Sequence, residues 1–423
     1  MSPRAARVLF GVVLASTRLR EGVDAFVCSP NIRAGLSAPR FDTAKAWPRA
    51  LPGAKMQTEL RPPDGDDDEN DNEATVRAPF GPGAAGLDGA DSQTAAAVPL
   101  LHRPLPQAVL CAAGYMVHVC ILSRRSIQVP GAQIALGWDT AMGLAVLVAA
   151  ARRRVNRGKP AIPPWLVAEA PEETEPEAAA MANCRQVPAK ERFKLLSTCA
   201  LLLAAPVAFS YAGPIVEVLL SLLVLCGAPL NGPRMMSARL IVEQTLLYLS
   251  LGYVVKLRHP KFFSREWVRI RWRAPWLAPA LGGYCASLAL FNLVEPINQA
   301  LLPHLAYLPE GIVAKLANPA DKSRASLLLA SVAPCVGAPL FEELQSRAFI
   351  LQALTAAMSL RSALLLQGLL FGAQHFQIGL VLPLSVTGWI WGVLYVNSKN
   401  LLVPILIHAM WNARIFLGSF LGL

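Results

Sequence analysis

The feature that most constrains this chain is the length of its apolar runs. From Leu105 onward, nearly uncharged stretches recur, each about the 20 residues that a helix needs to cross roughly 30 Å of hydrocarbon. Composition agrees with that reading. Hydrophobic residues make up 54% of the chain and charged residues 16%, against about 45–50% and about 25% in a typical soluble domain. A soluble protein, a disordered protein and a disulfide-stapled secreted domain all fit poorly. The expected fold is all-α: a polytopic membrane bundle of about eight to nine transmembrane helices, with a disordered N-terminal extension.

The formal charge of +11 arises from 39 Lys+Arg against 28 Asp+Glu. These cations flank apolar runs, as at Arg152-Arg153-Arg154 and from Lys256 to Arg273. That placement fits loops retained on one side of a bilayer, and no nucleic-acid motif accompanies it. The partners expected are therefore the lipid bilayer and a membrane-held substrate, not nucleic acid. No two of the eight cysteines are spaced C-x-x-C, so neither a zinc ribbon nor a thioredoxin-like site is readable.

Composition divides the chain into five parts. Residues 1–60 read as targeting sequence. Arg4 and Arg7 precede a short apolar stretch, and Val23-Asp24-Ala25-Phe26 offers a small-residue cleavage site. The next thirty or so residues hold Arg33, Arg40, Lys45, Arg49 and Lys55 against the single acid Asp42, a transit-peptide composition. A signal followed by a transit-like segment resembles the bipartite plastid presequence of algae with complex plastids. A plastid membrane is one expected location and the endoplasmic reticulum membrane the alternative. Residues 61–102 form an acidic linker, with seven acids between Asp64 and Glu73, and bury too little to fold alone. Residues 103–159 hold two apolar segments, expected to cross the bilayer as a hairpin. The second carries Asp139, an ionisable group read as a helix-packing or near-interface residue. A second linker covers 160–194.

The main body is 195–423. Its first run, 195–230, is either two tight crossings or one kinked crossing with an interfacial piece. Further spans are expected near 238–255, 275–299, 326–357, 361–377, 380–397 and 401–420. The segment Lys261 to Arg273 mixes aromatics with cations, a pattern suited to a helix lying in the interface.

Charge is scarce in the last hundred residues, so each polar group there is informative. Three constellations stand out. In Phe341-Glu342-Glu343-Leu344-Gln345-Ser346-Arg347, Glu343 and Arg347 share a helix face and can pair one turn apart. Glu342 lies about 100° around the helix, free to act as a general base. Phe371-Gly372-Ala373-Gln374-His375 ends a short apolar helix. In His408-Ala409-Met410-Trp411-Asn412, the His and the Asn share a face and can offer two donors to a developing oxyanion. Counting residues from the nearest turns puts Glu342, His375 and His408 at ~27, ~22 and ~13 Å from one membrane side, which leaves their convergence open.

The set E-E-x-x-x-R, F-x-x-x-H and H-x-x-x-N, in that order on consecutive spans, resembles the CPBP family, the type II CAAX prenyl endopeptidases and their bacteriocin-processing relatives. The resemblance covers roughly 195–423 and is sharpest from 325 to 415; Pro404 before the last His is similar too. Gln345-Ser346 departs from the pattern, where many members carry a bulky apolar residue and Phe, and Ala348 stands where Gly is usual. The resemblance implies an intramembrane endopeptidase acting on a membrane protein or prenylated (CAAX-type) peptide. By the same resemblance, Glu342 would activate water with help from His375, and His408 and Asn412 would stabilise the oxyanion. Glu343, Arg347 and Phe371 would support them. No cofactor is expected. A zinc enzyme would have to use Glu342, His375 and His408, and Asn412 suits an oxyanion donor better than a zinc ligand. Two other functions remain open: a proteolytically silent CPBP-like membrane scaffold, and a proton-coupled transporter.

Overall fold

The computed structural model describes residues 103–123, 126–128, 135–163, 166, 187–211, 213–230, 232–262, 268–302 and 312–422. The expected targeting sequence, the acidic linker and most of the 160–194 linker lie outside the described residues.

Regular structure among the described residues is helical, apart from a short antiparallel pairing of β1 (Ser126–Gln128) with β2 (Ala135–Gly137). Seven helices are long and apolar enough to cross a membrane. They are α1 (Pro104–Val117, continued by a π-helical turn to Leu122), α3 (Ala189–Ser210), α5 (Gly232–Arg258), α6 (Leu277–Leu301), α8 (Arg324–Thr355), α10 (Val381–Ser398) and α11 (Leu402–Leu421). Two shorter apolar helices, α4 (Gly213–Leu225) and α9 (Leu360–Ala373), join the bundle, and the six-residue α7 (Ile312–Ala317) precedes α8. The expected membrane helix bundle is thus what forms.

Three details bear on the sequence reading, the second choosing the single crossing it allowed and the other two departing from it. The second N-terminal segment forms α2 (Trp138–Val155), whose last turn carries Arg152, Arg153 and Arg154, and it is not among the seven. Within 195–230 only α3 reaches spanning length, and α4 is a separate 13-residue helix. The described residues of the aromatic and cationic segment, 261–262 and 268–273, are not helical. The segment's backbone is clipped to the turn between α10 and α11 instead. Asn400 Oδ1 accepts from Arg271 N at 2.9 Å, Asn400 Nδ2 donates to Arg271 O at 3.0 Å, and Leu401 N donates to Arg269 O at 2.7 Å. Bonds spent on a neighbouring turn are not available to a helical ladder.

Packing in such a bundle cannot lean on water exclusion, because lipid tails are as apolar as leucine; close backbone approach and cross-helix polar contacts do the work instead. Gly143 of α2 lies against Cys285 O and, for an added Cβ, 2.6 Å from Ala289 Cβ of α6. Gly368 and Gly372 on α9 lie against Ser385 of α10, and Gly388 and Gly392 on α10 lie against Phe371 and Leu364 of α9, each pair four residues apart. A Cβ at Gly368 would meet Ser385 O at 2.8 Å, and one at Gly388 would meet Phe371 Cβ at 2.7 Å and its ring at 2.9 Å. The polar contacts close helix ends. The fully buried Gln107 of α1 accepts from Trp276 N at 2.9 Å and Leu277 N at 3.0 Å, satisfying orphan donors at the start of α6. Asp139 sits in the first turn of α2, where Asn292 of α6 donates to it at 3.3 Å. It is a packing group near a helix start.

Three apolar clusters result among the described residues, a small one around Leu327 and Phe416 and two large ones. One joins α3, α5, the C-terminal half of α8 and α9 through Leu202, Leu251, Phe349, Leu351 and Leu364. The other joins α1, α6, α10 and α11 through Tyr284, Leu288, Trp391 and Ile407. Trp389 packs on both, and Phe371, beside the three polar constellations, belongs to the second.

Candidate active site

The site begins with an irregularity in α8. Its sequence Ala333-Pro334-Cys335-Val336-Gly337-Ala338-Pro339 places two prolines five residues apart, and a proline nitrogen cannot donate. The helix continues without a break but switches to i→i+5 bonding over Ala333–Gly337 and again over Leu344–Ile350. The α-helical turn Ala338–Glu343 between them carries both carboxylates. The sequence reading treated this helix as regular; π segments of this kind gather at functional sites. The switch leaves a carbonyl to be satisfied. Ala338 N bonds Ala333 O, and Pro339 has no proton to give Pro334 O. Asn412 Nδ2 of α11 donates to that oxygen at 2.7 Å.

Glu343 and Arg347 are fully buried and paired, Arg347 Nη1 to Glu343 Oε1 at 2.9 Å. The same carboxylate oxygen accepts from His408 Nδ1 at 2.9 Å. Arg347 also donates from Nη2 to Gly388 O at 2.9 Å, and its guanidinium lies 4.6 Å from the Phe371 ring centre and 5.5 Å from that of Trp391. Phe371 is the hub: its ring centre is 4.9 Å from His375 and 6.1 Å from His408. Trp391 covers the other side of His408 at 4.6 Å.

Glu342 points away from this network, as the 100° offset requires. Its Oε2 faces His375 Nε2 at 3.7 Å and is buried with no hydrogen-bond partner among the described residues. His375 stands just beyond the end of α9. Phe376 next to it has φ 52°, a left-handed conformation costly for a non-glycine residue and concentrated at functional sites. That turn ends the helix and leaves the imidazole facing α8.

The ring partners assign the tautomers. His375 Nδ1 lies 2.7 Å from Phe371 O, an acceptor, so Nδ1 carries the proton and Nε2 offers a lone pair toward Glu342. His408 Nδ1 faces a carboxylate, so it too carries the proton. His408 then donates from Nε2 only as imidazolium, a form whose charge faces Glu343.

Six of the seven residues singled out in the sequence are therefore linked in one cluster built by α8, α9, α10 and α11, and Asn412 joins α11 to α8 beside it through Pro334 O. The unequal depth estimates converge because α8 ends at Thr355, short of the counted turn, and because seven of its residues below Glu343 are π-helical, which shortens the rise. Gly388, Trp391, Gln374 and Tyr248 were not read from the sequence. The paired glycines at 368/372 and 388/392 were a legible signal for the α9–α10 contact. Tyr248 of α5, stacked on Phe341 at 4.2 Å, carries no local signal.

Among the described residues no group of three or more His, Cys, Asp or Glu is placed to hold a metal ion. Glu342, His375 and His408 do not form such a group; His408 bonds Glu343 through Nδ1 and keeps Nε2 open, a geometry that metal-ligating histidines share, and no step below is routed through zinc.

Neither the curated proteins nor the solved structures give a match to the chain. A family model does, and it spans all three constellations. Residues 324–414, the helices that build the site, match the family model described as type II CAAX prenyl endopeptidase Rce1-like, a match consistent with a CPBP family protease.

Proposed function

We propose that the protein is an intramembrane endopeptidase that hydrolyses a peptide bond of a membrane-anchored or prenylated (CAAX-type) polypeptide. The observation that carries this reading is the unpartnered, buried Glu342 Oε2 opposite the His375 Nε2 lone pair at 3.7 Å. Two acceptors at that separation suit a water molecule that donates one proton to each. Glu342 takes a proton as the water oxygen attacks the scissile carbonyl carbon. Asn412 spends one amide N–H on Pro334 O and keeps a second for the oxyanion, with His408 beside it on the same helix face. On collapse the C–N bond breaks and the proton held by Glu342 passes to the leaving amine. Glu343 orients His408, and Arg347 neutralises Glu343. Residues 1–60 address the protein to a plastid membrane in this reading, residues 61–102 and 160–194 are linkers, and 195–423 is the protease domain.

The test is cleavage of a CAAX-type peptide in proteoliposomes by the wild type and by Glu342→Ala, His375→Ala and His408→Ala. Each variant is expected to lose about 100-fold or more in rate. Full cleavage by all three ends this assignment. A wild type that never cleaves leaves the scaffold reading, and turnover that requires a proton gradient leaves the transporter. Inhibition by a zinc chelator, reversed by added zinc, would overturn the metal-free chemistry. A fluorescent fusion to residues 1–60 that labels the cell surface would overturn the plastid address.

A further inference from the structure

Gln345 is, with Ser346 and Ala348, one of the positions at which this chain departs from the pattern it resembles, and the catalytic scheme makes no use of it. It is buried three residues after Glu342. Its Nε2 donates to Leu202 O of α3 at 3.0 Å and reaches Gln374 Oε1 at 3.5 Å. The first bond has a clear cause. In an α-helix Leu202 O would accept from the residue four positions on, which is Pro206, inside α3 and without a donor. The orphaned carbonyl is buried, where an unmet acceptor is costly, and Gln345 fills it. The second contact falls on the residue before His375. The pairs Glu342–His375 and Gln345–Gln374 thus join the same two helix segments side by side. The Gln345 amide nitrogen therefore bonds the α3 wall at 3.0 Å and lies 3.5 Å from the His375 turn.

We propose that Gln345 is a positioning residue: anchored on the carbonyl that Pro206 orphans, it holds the His375 turn at its distance from Glu342. This rests on the protease reading above. Gln345 touches no reacting atom, and its effect passes through Gln374 and the backbone into His375.

The test separates the two bonds. Gln345→Leu removes both. Pro206→Ala supplies a backbone N–H to Leu202 O and so repairs only the α3 bond. Thermal stability of the full-length protein in detergent is expected to fall in Gln345→Leu and to recover in the Gln345→Leu/Pro206→Ala double variant. Cleavage is expected to fall about tenfold or more in kcat with KM nearly unchanged, and to stay low in the double variant. The His375 ring resonance in histidine-labelled protein, assigned with His375→Ala, should shift in Gln345→Leu and stay shifted in the double variant. Recovery of kcat and resonance together with stability would make Gln345 a filler of α3 only, and an unshifted resonance with unchanged kcat in Gln345→Leu would end the proposal outright. The resonance needs no turnover. If the wild type fails to cleave but the resonance shifts, the protease reading has failed and the positioning contact stands.

Discussion

Replacing Arg347 by Met tests the energetic centre of the site. The guanidinium is fully buried, donates to Glu343 Oε1 and to Gly388 O at 2.9 Å each, and is stacked against Phe371 and Trp391. Hydrogen bonds to charged groups contribute about 1.5–3 kcal/mol each, so two lost bonds amount to about 3–6 kcal/mol. Breaking one side of a buried ion pair costs about 3–5 kcal/mol by mutational precedent. The two routes agree on a loss of about 4 kcal/mol, most of it from a Glu343 carboxylate left with His408 as its remaining donor. Glu343→Leu/Arg347→Met removes the charge pair together and fills the space with apolar atoms, so it should lie within about 1–2 kcal/mol of the wild type. The two sites then couple by at least ~3 kcal/mol, far from additivity. Reversible unfolding in mixed micelles, on the wild type, both single variants and the double, measures the cycle. Cleavage is expected to stay low in the double variant, because His408 has lost the carboxylate that orients it. An Arg347→Met protein within about 1 kcal/mol of the wild type, or single-variant effects that simply add, would refute the reasoning.

Other outcomes follow from single contacts. Gly388→Ala drives a Cβ to 2.7 Å from Phe371 Cβ and 2.9 Å from its ring and should destabilise by about 1–3 kcal/mol, seen as a lower unfolding midpoint together with slower cleavage. Asn412→Ala should lose both stability and cleavage, and adding Pro339→Ala, which returns a donor to the α8 backbone, should restore the midpoint without the cleavage. His259, just past the end of α5, has its pKa pushed down to about 4 by burial, with Lys194 and Arg258 adding to the effect against Glu191. The unfolded chain binds that proton at a pKa near ~6.5, so the stability due to neutral His259 is complete above about pH 6.5 and is lost as pH falls toward 4. Melting at pH 7.5 and pH 5 should therefore differ less in His259→Gln than in the wild type, and equal slopes would remove His259 from the explanation.

The apolar run length determined, without any coordinates, that this chain is a helical membrane bundle, since a span of hydrocarbon demands a fixed number of residues per crossing. The scarcity of charge in the last spans also exposed Glu342, Glu343, Arg347, His375, His408 and Asn412, because an ionisable group at membrane depth is costly and so is rarely incidental. The offset between Glu342 and Glu343 followed from helix geometry alone, and it correctly separated the carboxylate in the Arg347 pair from the one left free. Counting residues did not establish that the three constellations meet, because it assumed a regular α8, and π bonding is set by how Pro334, Pro339 and the neighbouring helices share donors. That Asn412 and Gln345 answer carbonyls orphaned by prolines was equally out of reach: each donor sits more than seventy residues from its acceptor. Local pattern is short-ranged, with a reach of about one helical turn, so it can name the polar groups. Which group faces which depended on how closely α9 and α10 approach through their glycines, and only the folded bundle decided that.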